Sequence, residues 1–365
     1  MKPTAFAIAL FALALVGCSS HNGTPGIPTL SDAAATRLPM SKPRVITLYH
    51  SCPLYASPND SVINYNVTSQ PADAHSKAIM THLGALQFTG GDTAPLEVVN
   101  LGTWQTPTHV VGAIPTGHTT PIQPGVYGGG PGAVFPWRLG YMIEGSIPQN
   151  CTTGNCHVVT LITDKKLPSQ KITCMVYEAY RSNWTGTAFS AYDGIIDKLA
   201  SDASYISQIM NKQANVTSAG IPLYGFTDWS DELGATIDHP VGALVPENAV
   251  MMAPATHTNY SPRVGTSSGT CTSNCLAMGD ILRLKPGVAC PTGTKAVCTQ
   301  LKTYGAVVTD IAFAPEFRLG RATDGSDRWA GSVSLKFLSG LKLSNFDVVV
   351  REPMSYFQKP LRDRH

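Results

Sequence analysis

The chain has little charge. Only 14% of its 365 residues are Asp, Glu, Lys or Arg, and the formal net charge is +2. No basic stripe and no run of like charges occurs, so nucleic acid is not an expected partner. A Walker loop and a dinucleotide fingerprint are missing, so nucleotide and nicotinamide chemistry lack support. H-E-x-x-H and paired C-x-x-C spacings are missing too, so no local motif announces zinc. No internal repeat is visible. What the chain has in quantity is glycine, 33 residues, and proline, 27 residues, which fits many turns and long loops.

The N-terminus reads as an address. Lys2 supplies a positive start, and Ala5 to Val16 is an apolar stretch too short to cross a bilayer as a helix. Leu15-Val-Gly-Cys18 follows, and it resembles the lipobox of bacterial lipoproteins. That resemblance implies a signal peptide over residues 1–17, cleavage after Gly17 and lipid on Cys18, which would tie the protein to a membrane. Ser19, where an aspartate would favour inner-membrane retention, makes the outer membrane the expected destination, with the side left open. An ordinary signal peptide with a chance cysteine is the rival reading. Residues 18–43 are rich in Ser, Gly, Pro and Ala and read as a flexible tether. Residues 44–365 are long enough for one large domain, and no internal linker divides them.

Eight cysteines remain besides Cys18, an even number that favours disulfides in an exported protein. Spacing suggests local clips Cys151–Cys156, Cys271–Cys275 and Cys290–Cys298, leaving Cys52 with Cys174.

Strand-like runs rich in Val, Ile, Thr and Tyr recur at Arg44–Tyr49, Leu96–Leu101, His109–Ile114, Cys156–Thr163, Ile172–Tyr180, Ala249–Pro254, Asp280–Lys285, Gly305–Asp310 and Asp347–Arg351. Helical spacing is rarer: Asp73–Leu83, Asp193–Gln213 and a short helix before Tyr304. Strands dominate without regular alternation with helices. The expected fold class is mainly β, an antiparallel β-sandwich or jelly roll with helical insertions.

One strand raises a chemical question. Gly154-Asn-Cys-His-Val-Val-Thr-Leu-Ile-Thr163 is apolar on both faces yet carries His157. The next strand, Ile172–Tyr180, follows closely enough for a hairpin. Pairing Thr163 with Lys171 sets His157 opposite Tyr177, and a one-residue slip sets it opposite Glu178.

Met278-Gly-Asp-Ile-Leu-Arg-Leu-Lys285 and Leu301-Lys-Thr-Tyr-Gly-Ala-Val-Val-Thr-Asp310 resemble a family of secreted bacterial proteins of unassigned function. Similar short matches lie upstream in order: Asp60–Asn64, Ile143–Gly145, His157–Val159, Tyr177-Glu178, Ala219–Leu223, Asp238-His239 and Pro254–His257, with Arg328-Trp329 downstream. The chain departs from the family at Val62-Ile63, where Pro-Trp is usual, and after Asp310, where Asp-Asn-Gly-Ser is replaced. The resemblance implies one domain over most of the chain and brings no agreed activity.

The matching polar positions are His157, Glu178, His239, His257, Glu144 and Asp60, with Tyr177 and Arg283 near them. Imidazole gives and takes protons near neutral pH, and a neighbouring carboxylate fixes its orientation. The expectation is a carbohydrate-active enzyme on a polysaccharide. In a lyase, His157 or His239 removes a proton, Tyr177 acts as acid, and Arg283 or His257 counters charge. In a hydrolase, Glu178 and Glu144 form the carboxylate pair. Three histidines with a glutamate could also ligate a metal, so the cofactor stays open. The alternative is a non-catalytic surface lipoprotein that binds glycan or a protein partner, with each His and Glu hydrogen-bonded in place.

Overall fold

The structure is a computed structural model. It describes residues 66–87, 105–111, 119–121, 134–136, 144, 156–162, 175–184, 189–191, 193–198, 217–221, 223–246, 255, 274, 276–312, 315–322 and 324–349. The chain falls into two compact units, Met1–Lys42 and Pro43–His365, and every described residue lies in the second. Cys18, expected to carry lipid, Asp60, His257 and the strands expected at 44–49, 96–101 and 249–254 lie outside the described residues.

The described residues form sheets with few helices. The helices are α1 (Ser76–Gln87), α2 (Lys295–Thr303) and α3 (Val333–Ser339). The strands are β1 (Thr108–Val111), β2 (Thr119–Pro121), β3 (Val134–Pro136), β4 (His157–Ile162), β5 (Met175–Tyr180), β6 (Asn183–Trp184), β7 (Phe189–Ser190), β8 (Asp193–Lys198), β9 (Asp228–Trp229), β10 (Val241–Val245), β11 (Ile281–Leu284), β12 (Ala306–Ile311), β13 (Glu316–Phe317), β14 (Leu319–Gly320) and β15 (Phe346–Val348). One sheet has the order β1-β4-β5-β8, and a second has β13-β10-β12-β11-β15. Three two-stranded ladders join β14 to β9, β2 to β3 and β6 to β7.

The pairing is mixed, which corrects the antiparallel expectation. β1 runs parallel to β4, β10 to β12, and β14 to β9. Long segments separate the members of each parallel pair, which gives room for the crossover that parallel pairing requires. β12 is buried along its whole length and β10 nearly so, the pattern of a strand covered on both faces.

The span expected as a helix from Asp193 begins instead as strand β8, so that reading is corrected over Asp193–Lys198. Its backbone pairs residue by residue with β5, from Tyr180↔Asp193 to Met175↔Lys198. Ladder pairing and the β-branched Ile195-Ile196 override the helical spacing there. The β4–β5 register also differs from both readings above. Ile162 pairs with Met175 and His157 with Tyr180, because the connection is longer than the expected hairpin turn. The two-residue period then puts Glu178 on the face of His157, and Tyr177 on the other.

The core gathers around the five-stranded sheet. α1 contributes Ile79, Met80 and Leu83, and α2 contributes Val297, Cys298 and Leu301, all at most 2% exposed. Helical spacing lines each set along one side, with α1 against β15 and α2 against β11. Each such aliphatic side chain stabilises the fold by roughly 1.5–3 kcal/mol. Cys290 and Cys298 form a disulfide that clips the start of α2, as spacing suggested. Cys156 is disulfide-bonded too, to a partner outside the described residues.

α2 gives way, after its cap Tyr304, to Gly305, whose φ of +74° is a left-handed turn. Its N–H returns to the Gln300 carbonyl at 3.1 Å. A Cβ there would come within 2.8 Å of the Leu282 carbonyl, so the turn into β12 needs glycine. α3 went unread in the sequence. Ser332 caps it, its hydroxyl accepting the Leu335 N–H at 3.0 Å.

Candidate functional site

β4 opens at His157, and the segment carrying Glu144 lies beside it. The two backbones meet where the Glu144 N–H donates to the His157 carbonyl at 3.0 Å. The Glu144 carboxylate then folds back. Its Oε2 accepts the His157 backbone N–H at 3.0 Å and also contacts His157 Nδ1. Its Oε1 accepts the Thr106 hydroxyl at 3.0 Å. The Tyr180 ring lies over the imidazole, with centroids 5.2 Å apart. His157 is 2% exposed and Glu144 is 8% exposed. A histidine on an apolar strand is thus provided for by one carboxylate that fixes its ring and its backbone together.

Glu178 sits on the same face of that sheet and is fully buried. Its Oε2 accepts the Leu223 N–H at 3.0 Å, and Oε1 accepts the Tyr224 N–H at 2.7 Å. These amides open the 3-10 turn Tyr224–Phe226, whose first N–H groups have no partner within the turn. A charged acceptor at that end is favourable by hydrogen bonding and by the turn's dipole. Tyr177 lies on the opposite face, and burial raises its phenol pKa.

The chain from that turn runs directly into the third group. Asp228 begins β9, and Glu232 closes the 3-10 turn Ser230–Glu232 that follows. His239 stands two residues before β10. His239 Nδ1 donates to the Pro240 carbonyl at 2.9 Å, which turns Nε2 toward Glu232 Oε1 at 3.0 Å. Glu232 Oε2 accepts the Trp229 N–H at 2.8 Å. Gln300, reaching in from α2, donates Nε2 to Asp228 Oδ1 and to the His239 carbonyl at 3.0 Å. Asp228, Glu232 and His239 are 1%, 6% and 0% exposed, and one ligand atom from each lies within 4.8 Å of the others.

Electrostatics follow from that burial. Loss of water pushes the Asp228 carboxyl up to about 7, with the Glu232 charge adding to the rise and His239 and Gln300 opposing it. Burial alone would lower His239, but the Glu232 carboxylate, the Asp228 charge and the Pro240 carbonyl together more than reverse this and lift it to about 9. Tyr224 is pushed well above the ordinary phenol range by burial, then by Glu232.

The residues nominated from sequence therefore separate into pairs. His157 meets Glu144, and His239 meets Glu232, a residue that sequence reading did not pick. Asp228 and Gln300 were missed as well. The spacing Asp228-x-x-x-Glu232 is the available signal, and short acidic spacings of this kind are common in turns. Arg283 is a clamp. Its guanidinium donates to the carbonyls of Val67 at 2.9 Å, Thr68 at 3.3 Å and Gln70, and faces Asp347 at 3.6 Å. Arg328 pairs with Asp231 at 2.8 Å and Asp324 at 2.9 Å, while Trp329 is buried and donates Nε1 to the Gly320 carbonyl at 3.1 Å.

No family model, curated protein or solved structure matches the chain.

Proposed function

We propose that this protein is an exported lipoprotein, held at the outer membrane through lipid on Cys18, whose body binds an envelope glycan without turning it over. The observation that carries the reading is burial. Glu144, His157, Tyr177, Glu178 and His239 are all at most 8% exposed. A catalytic group must touch its substrate, and the Glu178 oxygens already serve two backbone amides. Sparse charge suits a neutral ligand, and Trp184 and Phe189 are register partners on the β6–β7 ladder. A jelly-roll-like β-sandwich belongs to the same proposal. The two larger sheets would be its layers, with Glu178 of one reaching the segment that leads into the other. Membership of the secreted family of unassigned function belongs to it as well.

A second reading keeps an enzyme, a polysaccharide lyase or glycoside hydrolase, and one observation favours it. His157 Nδ1 lies against the Glu144 carboxylate, the arrangement that orients an imidazole for proton transfer. A glycan array and a turnover assay on the purified lipoprotein separate the two. Glycan retention that weakens in Trp184→Ala, with no new product, is the expected result. A product with a new ultraviolet-absorbing double bond, or new reducing ends, would establish the enzyme instead. A protein that takes up no palmitate analogue in cells contradicts the anchor.

A further inference from the structure

We propose that Asp228, Glu232 and His239 form a binding site for one divalent transition-metal ion, zinc or manganese, that braces β9 to the start of β10. Each side chain is held by one atom and offers another inward. His239 Nδ1 is fixed on the Pro240 carbonyl and Glu232 Oε2 on the Trp229 N–H, which sets His239 Nε2 against Glu232 Oε1 at 3.0 Å, the contact that a metal would replace. Asp228 Oδ1 is fixed by Gln300, leaving Oδ2. Outer partners of this kind are how proteins orient metal ligands and set their tautomers.

A second observation points the same way. Gln300 is fully buried, and its Oε1 has no hydrogen-bond partner, although the same amide touches Asp228. A fully buried amide oxygen with unused lone pairs beside an acid is costly unless an electrophile takes it.

Charge agrees with this. Neither Asp228 nor Glu232 is paired with Lys or Arg among the described residues, and His239 alone faces both. Even a protonated imidazole leaves one excess negative charge when both acids are ionised. A bound dication would remove that imbalance.

Distance and donor type select the ion. Metal–donor bonds of about 2.0–2.2 Å place donors roughly 3–4 Å apart. The observed 3.0 Å for His239–Glu232 and the 4.8 Å limit for the set are reached from that by small rotations. One imidazole with carboxylate oxygens suits zinc or manganese better than calcium or magnesium. The contribution is one of holding structure, since the ligands are under 7% exposed and admit little solvent.

The test uses the full chain in detergent, stripped with chelator and titrated separately with zinc chloride and manganese chloride. One equivalent of at least one metal per chain is expected, with a rise in melting temperature. Asp228→Asn and Glu232→Gln, checked for folding by circular dichroism, should each weaken binding by more than about tenfold. His75→Gln, in the exposed turn before α1, combined with His82→Gln in α1 should leave it unchanged. X-ray absorption of the wild-type complex should show nitrogen and oxygen neighbours and no sulfur, and it decides the matter if the buried variants do not fold. Binding of neither metal, loss of binding in the α1 variant, or sulfur ligation would overturn the proposal.

Discussion

Glu178 and Tyr224 are joined by a 2.7 Å hydrogen bond from the Tyr224 backbone N–H to Glu178 Oε1, and the other oxygen holds Leu223. The acid belongs to the β5 strand and the amides to a turn far along the chain. A buried carboxylate here does the work that a capping residue does at a helix start. The same logic recurs at Glu144, which holds both the ring and the backbone of His157. Glu178, Glu144 and Arg283 each tie a distant stretch of backbone to a sheet.

The Glu144 connection makes a stability prediction. Glu144→Ala removes the acceptor for the Thr106 hydroxyl, the His157 N–H and the imidazole. Leaving buried donors without partners costs about 1–3 kcal/mol each, so a loss of at least about 3 kcal/mol is expected. Urea unfolding of the variant measures it, and an unchanged midpoint would mean that the pair contributes nothing.

Asp310 and Arg318 form a buried ion pair at 2.7 Å, with side chains 8% and 4% exposed. Asp310 also accepts the Ser218 hydroxyl at 2.6 Å and the Ile311 N–H at 2.9 Å. Asp310→Ala strands the guanidinium in a dry site and should cost about 3–5 kcal/mol. Replacing both partners with apolar residues should recover part of that loss, and a double-mutant cycle in denaturant tests it.

The Cys290–Cys298 disulfide closes a short loop, with a sequence separation of 8. Loop closure of that size stabilises by about 2–3 kcal/mol through the unfolded chain. A Cys290→Ser, Cys298→Ser variant should lose that much, and non-reducing peptide mapping should return the pair in the parent protein.

Asp324 carries the pH prediction. Hydrogen bonds from the Ser326 hydroxyl and N–H, then from Arg328, hold its carboxyl down from 3.8 to about 2. A carboxyl depressed in the folded state adds stability that is present above its ordinary value. That stability is lost as pH falls from about 4 toward 2. The group is exposed, so the gain is small and screened by salt. NMR titration should place its midpoint near 2, and Ser326→Ala should move it upward.

Strand positions were legible in the sequence where alternation and β-branching were dense. β4, β5 and β11 fall within spans expected to be strands, and β12 overlaps its span and runs one residue past Asp310. α1 and α2 were legible from helical spacing, and Cys290–Cys298 from proximity alone. Asp193–Lys198 was not, because an Ile-Ile pair satisfies a helical face and a strand alike, and the β5 ladder decides between them. The His157 register was not, because the length of a connection sets it rather than the strand's own pattern. Asp228 and Glu232 were invisible as a pair with His239, since a turn brings them together and turns carry no periodic signal.

The most direct test of the connector account is equilibrium unfolding of Glu178→Ala beside the parent protein. The two buried amides of Leu223 and Tyr224 lose their acceptors, and a loss of about 2–5 kcal/mol is expected. A variant that unfolds at the parent's denaturant concentration, yet loses a measurable turnover, would contradict it and return Glu178 to the role of a catalyst.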